Sequence, residues 1–291
     1  MKPANFVYHA PTTVAESVAL LGRLGEEGRI LAGGQSLVPL MNFRLAQPAH
    51  IVDINHVAEL DFIRQESGYI AIGAGTRTWD IETSKLLASQ APLLVEAARL
   101  VAHPPIKHRS TIGGSLAHAD PAAELPTAAL ALEATVVVAS VNGTRQISIH
   151  ELYRGPFETS LKTGELLTEV RVPISPAKTG YAFVEFSRRR GDFAIVGVAA
   201  LIYLSAGRID RAAIAMCGVA PTPVRARQAE HGLIGAAATD ETITAAAAAA
   251  VSQLEPSSDI HGSRQYRIQL ARVYVERAMR VAAQRARSVS E

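Results

Sequence analysis

The chain holds a single cysteine, Cys217, in 291 residues. One thiol makes no intrachain disulfide, and an iron–sulfur cluster, which usually takes four thiolates, finds no ligand set here. Any such cluster must therefore sit on another chain. No run of about 18 apolar residues occurs, the length a membrane helix needs. The opening Met1 to Pro11 has one lysine and no apolar core of signal-peptide length. The expected location is the reducing cytoplasm, without a membrane span. An excess of either charge is also missing. Lys plus Arg number 29 against 27 for Asp plus Glu, which leaves no electrostatic footprint for nucleic acid or anionic lipid. Two nucleotide-binding spacings are absent as well: Gly-x-Gly-x-x-Gly and a loop ending in Gly-Lys-Ser/Thr. A Rossmann dehydrogenase and a P-loop NTPase are thereby disfavoured.

What is present is a chain 48% hydrophobic and 19% charged, long enough for two or three modest cores. Thr13 and Glu16 have capping-box spacing, and apolar residues at helical intervals predict a helix over 14–24, ended by Gly25 and Gly28. Short strands are expected at 29–32, 51–54 and 69–72, a small βαβ-type unit followed by more sheet. A helix follows at about 92–101. Residues 135–139 and 145–149 flank Asn142-Gly143, a strong hairpin signal that brings in antiparallel pairing. From Pro173 to Gly180 the composition shifts to Pro, Ser, Lys, Thr and Gly, the best candidate for a boundary. Beyond it, strands at 181–187, 193–204 and 209–219 precede helices through Ala245–Val251 and Tyr266–Arg285, an α+β arrangement of strands first and helices after. The expected division is 1–175, with subdomains at about 1–55 and 56–175, then 176–291.

Two loops carry the chemistry. Ile30-Leu31-Ala32-Gly33-Gly34-Gln35-Ser36 runs from an apolar strand into two glycines, where backbone N–H groups can converge on an anion with no Cβ in the way. A pyrophosphate is the natural guest. Thr111-Ile112-Gly113-Gly114-Ser115 repeats the pattern, with the Thr111 and Ser115 hydroxyls as further donors. Two such loops suit the two sides of one dinucleotide.

AGGQSLVPLMNFRL at 32–45 and TIGGSLAHADPAAELP at 111–126 resemble the flavin motifs of the medium subunit of carbon monoxide dehydrogenase and related molybdenum hydroxylases. The resemblance covers essentially the whole chain, from Phe6-Val7-Tyr8 through Gly164-Glu165-Leu166-Leu167 and Gly191-Asp192-Phe193-Ala194 to the helical C-terminus. It implies the FAD-binding fold of the vanillyl-alcohol oxidase and xanthine dehydrogenase type: two α+β FAD-binding subdomains plus a C-terminal α+β domain with a three-stranded antiparallel sheet and helices. It also implies one non-covalent FAD. Ile30, Leu31, Ala32, Gly33, Gly34, Gln35, Ser36, Ser110, Thr111, Ile112, Gly113, Gly114 and Ser115 would line its pyrophosphate and ribityl chain. Val101, Ala102, Ile106, Ala117 and Ala123 would lie alongside. Glu124 takes the family's acidic position near a ribose hydroxyl, Leu166 and Leu167 match an apolar pair on the flavin side, and Asp192 and Phe193 match a turn beside the ring. Two positions depart from carbon monoxide dehydrogenase. Phe193 stands for a tyrosine and Glu185 for a lysine, so a phenolic hydrogen bond is lost and a cation becomes an anion near the flavin.

The resemblance further implies that the molybdenum cofactor and [2Fe–2S] clusters lie on a large and a small partner subunit, in a dimer of heterotrimers. This chain would pass electrons from the clusters through FAD to a quinone, NAD or another acceptor, with no general base of its own. Two other readings stay open: a stand-alone flavoenzyme of the enolpyruvyl-UDP-N-acetylglucosamine reductase type, and a flavin-free scaffold. His103, His108 and His118 with Asp120 crowd the second loop but match no zinc spacing, so polar packing is expected rather than a metal site or a covalent flavin anchor. Lys107 and Arg109 flank the same loop, as phosphate partners or as a solvated pair. Trp79 is expected to pack, and Cys217 to act as a small hydrophobe.

Overall fold

The computed structural model describes residues 1–288. Thr13 caps the first helix, Val14–Leu24, accepting from the Glu16 amide at 3.1 Å, and Gly25 ends it at φ 55°. A positive φ of this kind is a glycine conformation. The helix links β1 (Val7–His9) to β2 (Gly28–Leu31), and β3 (His50–Asp53) lies between them in an all-parallel sheet of order β1-β3-β2. The expected βαβ unit is therefore present. β1 carries only three residues and was not anticipated.

A second, antiparallel sheet runs β4 (Ile63–Glu66), β5 (Tyr69–Gly73), β6 (Thr135–Ser140) and β7 (Gly143–Ser148) around a central strand further along the chain. Between β7 and that strand, β8 (Tyr153–Gly155) and β9 (Glu158–Thr159) form a short ribbon of their own. The central strand, β10 (Leu166–Pro173), pairs Val170 with Ile72 on one side and Val136 on the other. The β6–β7 turn closes at Gly143, φ 112°, as Asn-Gly chemistry requires. Helices Pro92–Leu100, Ile112–His118 and Glu124–Ala131 cover this sheet and share its core with Ile70, Ile72, Val136 and Val170.

The third sheet has order β11 (Thr179–Phe186), β12 (Val196–Ser205), β13 (Arg208–Cys217) and β14 (Val224–Arg225). The three long strands match expectation; the fourth corrects the three-stranded sheet. With two residues it leaves no periodicity to read, and side-chain bonds of Arg225 reinforce its short ladder. One face carries helices Arg227–Leu233, Asp240–Val251 and Arg264–Ser288. The last of these buries Ala271, Ala278, Ala282, Ala283 and Ala286. Small side chains let it approach closely, to the point that a Cβ on Gly180 of β11 would overlap the Ala282 carbonyl oxygen. The opposite face, with Phe183, Ala199 and Ala215, joins the core of the second sheet.

Charged side chains cross that junction. Glu96 accepts from the Phe183 amide at 2.9 Å and from Arg285 at 2.7 Å. Arg225 donates to the Leu130 carbonyl and to Glu133 at 2.6 Å, and binds Glu230 through two nitrogens. The Arg225 and Glu230 side chains are both 5% exposed, so removing Arg225 leaves the buried Glu230 with only the longer pair to Arg227, at 3.6 Å, as counter-charge. Arg225→Ala is expected to cost about 3 kcal/mol in urea unfolding. Arg280→Ala, which breaks the exposed pair with Asp240, should cost less than about 1 kcal/mol.

Candidate functional site

Loop one leaves β2 and enters the short helix Leu37–Asn42. The amides of Gly33, Gly34, Gln35 and Ser36 make no hydrogen bond to any described residue. Four successive backbone donors without a protein acceptor are costly unless water or a ligand takes them, and together they form a cradle for an anion. Gln35 folds back, its Nε2 donating to the Gly33 carbonyl at 2.8 Å. Gly34 sits at φ 72°, where a side chain would be strained.

Loop two is built differently. The Ile112 amide donates to Thr76, the Gly113 amide to Ala74 at 2.9 Å, and the Gly114 amide to the Thr111 hydroxyl at 3.0 Å, while Thr78 donates to the Ser110 carbonyl. These bonds dock the loop on the segment that leaves β5 and cap the helix Ile112–His118. The expectation that both loops offer amides is thus corrected for loop two, whose amides at 112–114 are already used. What loop two offers is hydroxyl chemistry. Thr111 accepts from Gly114 and keeps its own proton to donate, and the half-buried Ser115 hydroxyl bonds no described residue.

The glycines also have a second purpose. A Cβ on Gly33 would fall on the Arg109 carbonyl oxygen and 2.7 Å from the Ser110 Cα; one on Gly113 would lie 2.5 Å from the Ala74 Cβ. Gly33 lets the two loops meet backbone to backbone, and Gly113 seats loop two on the second sheet. A valine at either position would break the protein's own packing, whatever its effect on a ligand.

A polar chain missed at the sequence level ties the loops together. The Tyr8 hydroxyl donates to Asp53 at 2.6 Å, and Asp53 accepts from the Asn55 amide at 2.9 Å. Asn55 donates to the Ala32 carbonyl at 2.8 Å and accepts from Arg77 at 2.7 Å, and Arg77 donates to the Arg109 carbonyl at 2.6 Å. Burial opposes the charged form of Asp53, yet the bonds from Tyr8 and Asn55 outweigh it and hold the carboxyl below its usual range. Asp53, Asn55 and Arg77 sit on no recognisable motif. The signal available was Asp53 at the end of a buried strand with Asn55 just after it, an ordinary turn pattern.

The remaining residues fall into two groups. Val101, Ala102, Ile106 and Ser110 are half-buried beside the loops, and Ala117 is exposed. Ile30 and Ala32 are half-buried against the core of the first sheet, and Leu31 is half-buried in loop one's own strand. Ile112 and Ala123 are buried. Leu166 and Leu167, just before a bulge in β10, are buried and enter two different cores. Asp192 and Phe193 stand exposed at the tip of the β11–β12 hairpin, Phe193 at 60%. That tip is brought back over loop two: a Cβ on Gly191, at φ 89°, would lie 2.5 Å from the His103 ring. Glu124 is the first residue of its helix and 4% exposed, and burial lifts its carboxyl to about 7. Glu185 lies close by, with one buried oxygen lacking a hydrogen-bond partner.

The histidines go separate ways. His108 stacks on Trp79 at 4.5 Å, His118 meets Phe157 at 5.1 Å, and His103 lies under Gly191. Among the described residues no group of three or more His, Cys, Asp or Glu is placed to hold a metal ion. Lys107 is buried against Glu82 at 2.7 Å and the Arg99 carbonyl at 2.8 Å, so it is no phosphate partner; Arg109 is exposed. Cys217 is buried and free.

Known proteins resemble the chain over nearly its whole length. The family model for the FAD binding domain in molybdopterin dehydrogenase matches residues 4–175, and that for the CO dehydrogenase flavoprotein C-terminal domain matches residues 181–282. The chain is 47% identical to the 6-hydroxypseudooxynicotine dehydrogenase complex subunit alpha of Paenarthrobacter nicotinovorans, over 100% of this chain and 99% of the relative. It is 40% identical to the carbon monoxide dehydrogenase medium chain of Hydrogenophaga pseudoflava, over 97% and 98%. A solved structure of carbon monoxide dehydrogenase from that organism superposes with a TM-score of 0.96 at 42% identity, covering 98% of this chain and 99% of the other. Quinoline 2-oxidoreductase from Pseudomonas putida 86 gives 0.94 at 40%, covering 98% and 99%.

Arg77→Ala removes the link between the loops and leaves Asn55 and the Arg109 carbonyl each short of a partner. It should cost about 1–3 kcal/mol of stability and weaken FAD binding roughly tenfold, measured by thermal unfolding and by fluorescence titration of the flavin. A variant that binds as tightly as the parent would show that the polar chain does not hold the loops.

Proposed function

We propose, because the chain belongs to the family of FAD-binding medium subunits of carbon monoxide dehydrogenase-like molybdenum hydroxylases, that it delivers electrons from [2Fe–2S] clusters on a partner subunit to an external acceptor. The observation that carries the cofactor part is the run of four unpartnered amides, Gly33 to Ser36, set against loop two. These donors would hold the pyrophosphate, with the Ser36, Thr111 and Ser115 hydroxyls adding bonds to phosphate or ribityl oxygens. The chemistry that FAD supplies when bound is reversible storage of electrons. This chain's residues bind, orient and tune it.

Orientation falls to the hairpin tip. Phe193, held over loop two by the Gly191–His103 contact, offers an aromatic face for the ring system. Glu124 and Glu185 would lie toward the ribityl chain and the ring. Val101, Ala102 and Ile106 supply an apolar wall. No side chain here is arranged as a nucleophile with its base. The hydroxylated substrate would thus be chosen by the large molybdenum subunit, and this chain works within a heterotrimer that dimerises. No helix among the described residues is long and apolar enough to cross a membrane, and we place the complex in the cytoplasm with a quinone, NAD or similar acceptor.

Isolation of the tagged chain from its own cell is expected to yield flavin, iron and molybdenum together with two companion chains. Flavin without metals or companions would overturn the subunit reading in favour of a stand-alone flavoenzyme. Within the complex, Ser36→Ala and Ser115→Ala should each weaken FAD retention about 3- to 10-fold, the value of one hydrogen bond, with the melting temperature of the FAD-free protein unchanged. Full retention in both would remove the hydroxyls from the site.

A further inference from the structure

Arg267 reaches back from the last helix and binds main chain of the third sheet. It stands in the first turn of the helix Arg264–Ser288 and is 6% exposed. An arginine carries five N–H groups in a planar fork. Here Nη1 donates to the carbonyls of Ile195, at 2.6 Å, and Gly218, at 2.8 Å. Nη2 donates to both oxygens of Asp259, at 2.8 and 2.7 Å. The remaining donor, Nε, is buried without a hydrogen-bond partner, so the guanidinium is oriented through its two outer nitrogens. Asp259 is itself fixed. It accepts from the amides of His261 at 2.9 Å and Gly262 at 3.0 Å, and its own amide donates to the Gly262 carbonyl. The bonds from Arg267 hold its carboxyl well below the usual carboxylate range, so the pair stays charged at neutral pH.

The two carbonyls belong to segments on either side of the candidate site. Ile195 lies two residues beyond Phe193, and its amide donates to the Phe186 carbonyl at 2.7 Å, which closes the base of the hairpin tip. Gly218 directly follows β13 at φ 75°, and a Cβ there would fall 2.3 Å from the Ile195 oxygen. Only glycine lets these two stretches turn their carbonyls to one nitrogen. The Gly218 amide donates in turn to the Pro121 carbonyl at 2.9 Å, between the loop-two helix and the helix Glu124–Ala131. Bonds within the tip are local: the Ser187 hydroxyl and the Asp192 amide both donate to the Arg189 carbonyl. Two contacts therefore flank Phe193, the packing of Gly191 on the His103 ring in front and the Arg267 bond to Ile195 behind.

We propose that Arg267, held by Asp259, is a positioning residue of the flavin site: it fixes the Ile195 end of the hairpin tip to the segment leaving loop two and so sets where Phe193 stands. Because Arg267 grips a carbonyl, its hold is indifferent to the side chains the tip carries. Asp259 matters because a buried guanidinium that loses its counter-charge is strongly disfavoured where it lies. Lysine at this position would keep the charge but offer three donors from a single point, and could not reproduce the fork. That Phe193 faces a flavin rests on the function proposed above; that Arg267 sets the tip does not.

The test uses the full-length chain labelled with 4-fluorophenylalanine, followed by 19F NMR and amide hydrogen exchange, first without FAD and then with it. Arg267→Lys and Asp259→Asn are compared with Arg280→Ala, a control on the same helix whose partner Asp240 is exposed. Without FAD, the first two should shift or broaden the Phe193 resonance, assigned by its loss in Phe193→Leu. They should also speed exchange of the Ile195 and Gly218 amides about tenfold and leave that of Val170 as in the parent. Arg280→Ala should do neither. An unmoved Phe193 signal with parental exchange at Ile195 overturns the anchor, and so does faster exchange spread evenly along the chain, the mark of a general loss of stability. Should Arg267→Lys fail to fold, Asp259→Asn, which alters only the 43%-exposed partner, decides alone. With FAD, both variants should change the visible circular dichroism of the bound flavin, and the control should not. Flavin bound with parental dichroism overturns the placement of the tip at the ring. If the parent binds no FAD, the function reading fails while the FAD-free measurements still decide the anchor.

Discussion

The contact on which the site depends is between two stretches of main chain. Gly33, leaving the first sheet, lies against the carbonyl of Arg109 and the Cα of Ser110 in a loop docked on the second. No side chain fits between them. Everything that orients the cradle serves this contact: Arg77 bonds the Arg109 carbonyl from outside, Asn55 bonds the Ala32 carbonyl, and Asp53 fixes Asn55. The backbone donors of residues 33–36, on the loop-one side, remain free. The cleft is thus held by the protein before any cofactor arrives, and binding needs little reordering of backbone.

The two glycine-rich loops look alike in sequence and divide the work. Loop one keeps its amides for a ligand; loop two spends its amides on the segment Ala74–Thr78 and retains hydroxyls. The difference arises because loop two begins a capped helix, in which Thr111 takes the Gly114 amide, whereas Ser36 makes no such cap for the short helix that follows loop one. Lysine has no share in the cradle, since Lys107 is buried with Glu82. The side-chain cation set between the loops is Arg77, and the free amides of loop one add neutral dipoles to it.

The sequence made the repeating parts of the fold legible. The helix 14–24, the Asn142-Gly143 hairpin and the three long C-terminal strands announce themselves by caps, turn chemistry and period. β1, β14 and the helix Ile112–His118 do not, because two to seven residues give a period too little room. β10 does not either, because its bulge after Leu167 breaks the alternation early in the strand. Both loops were recognised from glycine and hydroxyl content. What escaped was contact between distant segments: Asp53, Asn55 and Arg77 bond across 22 residues or more, and the Leu166-Leu167 pair divides between two cores. Arg267 grips carbonyls 72 and 49 residues away.

The cradle, the loop-two hydroxyls and the hairpin tip belong to three different sheets. Loops one and two are locked to each other by glycine backbone and cannot drift apart without loss of the fold. The tip bearing Phe193 touches them mainly at Gly191 and His103, and its other residues are exposed. In evolutionary terms the packing between the loops leaves little room for change, while the exposed tip is free to vary. On the function proposed above, a lineage of such subunits can change electron partners by rewriting a handful of hairpin positions and leave the loop-to-loop contact untouched.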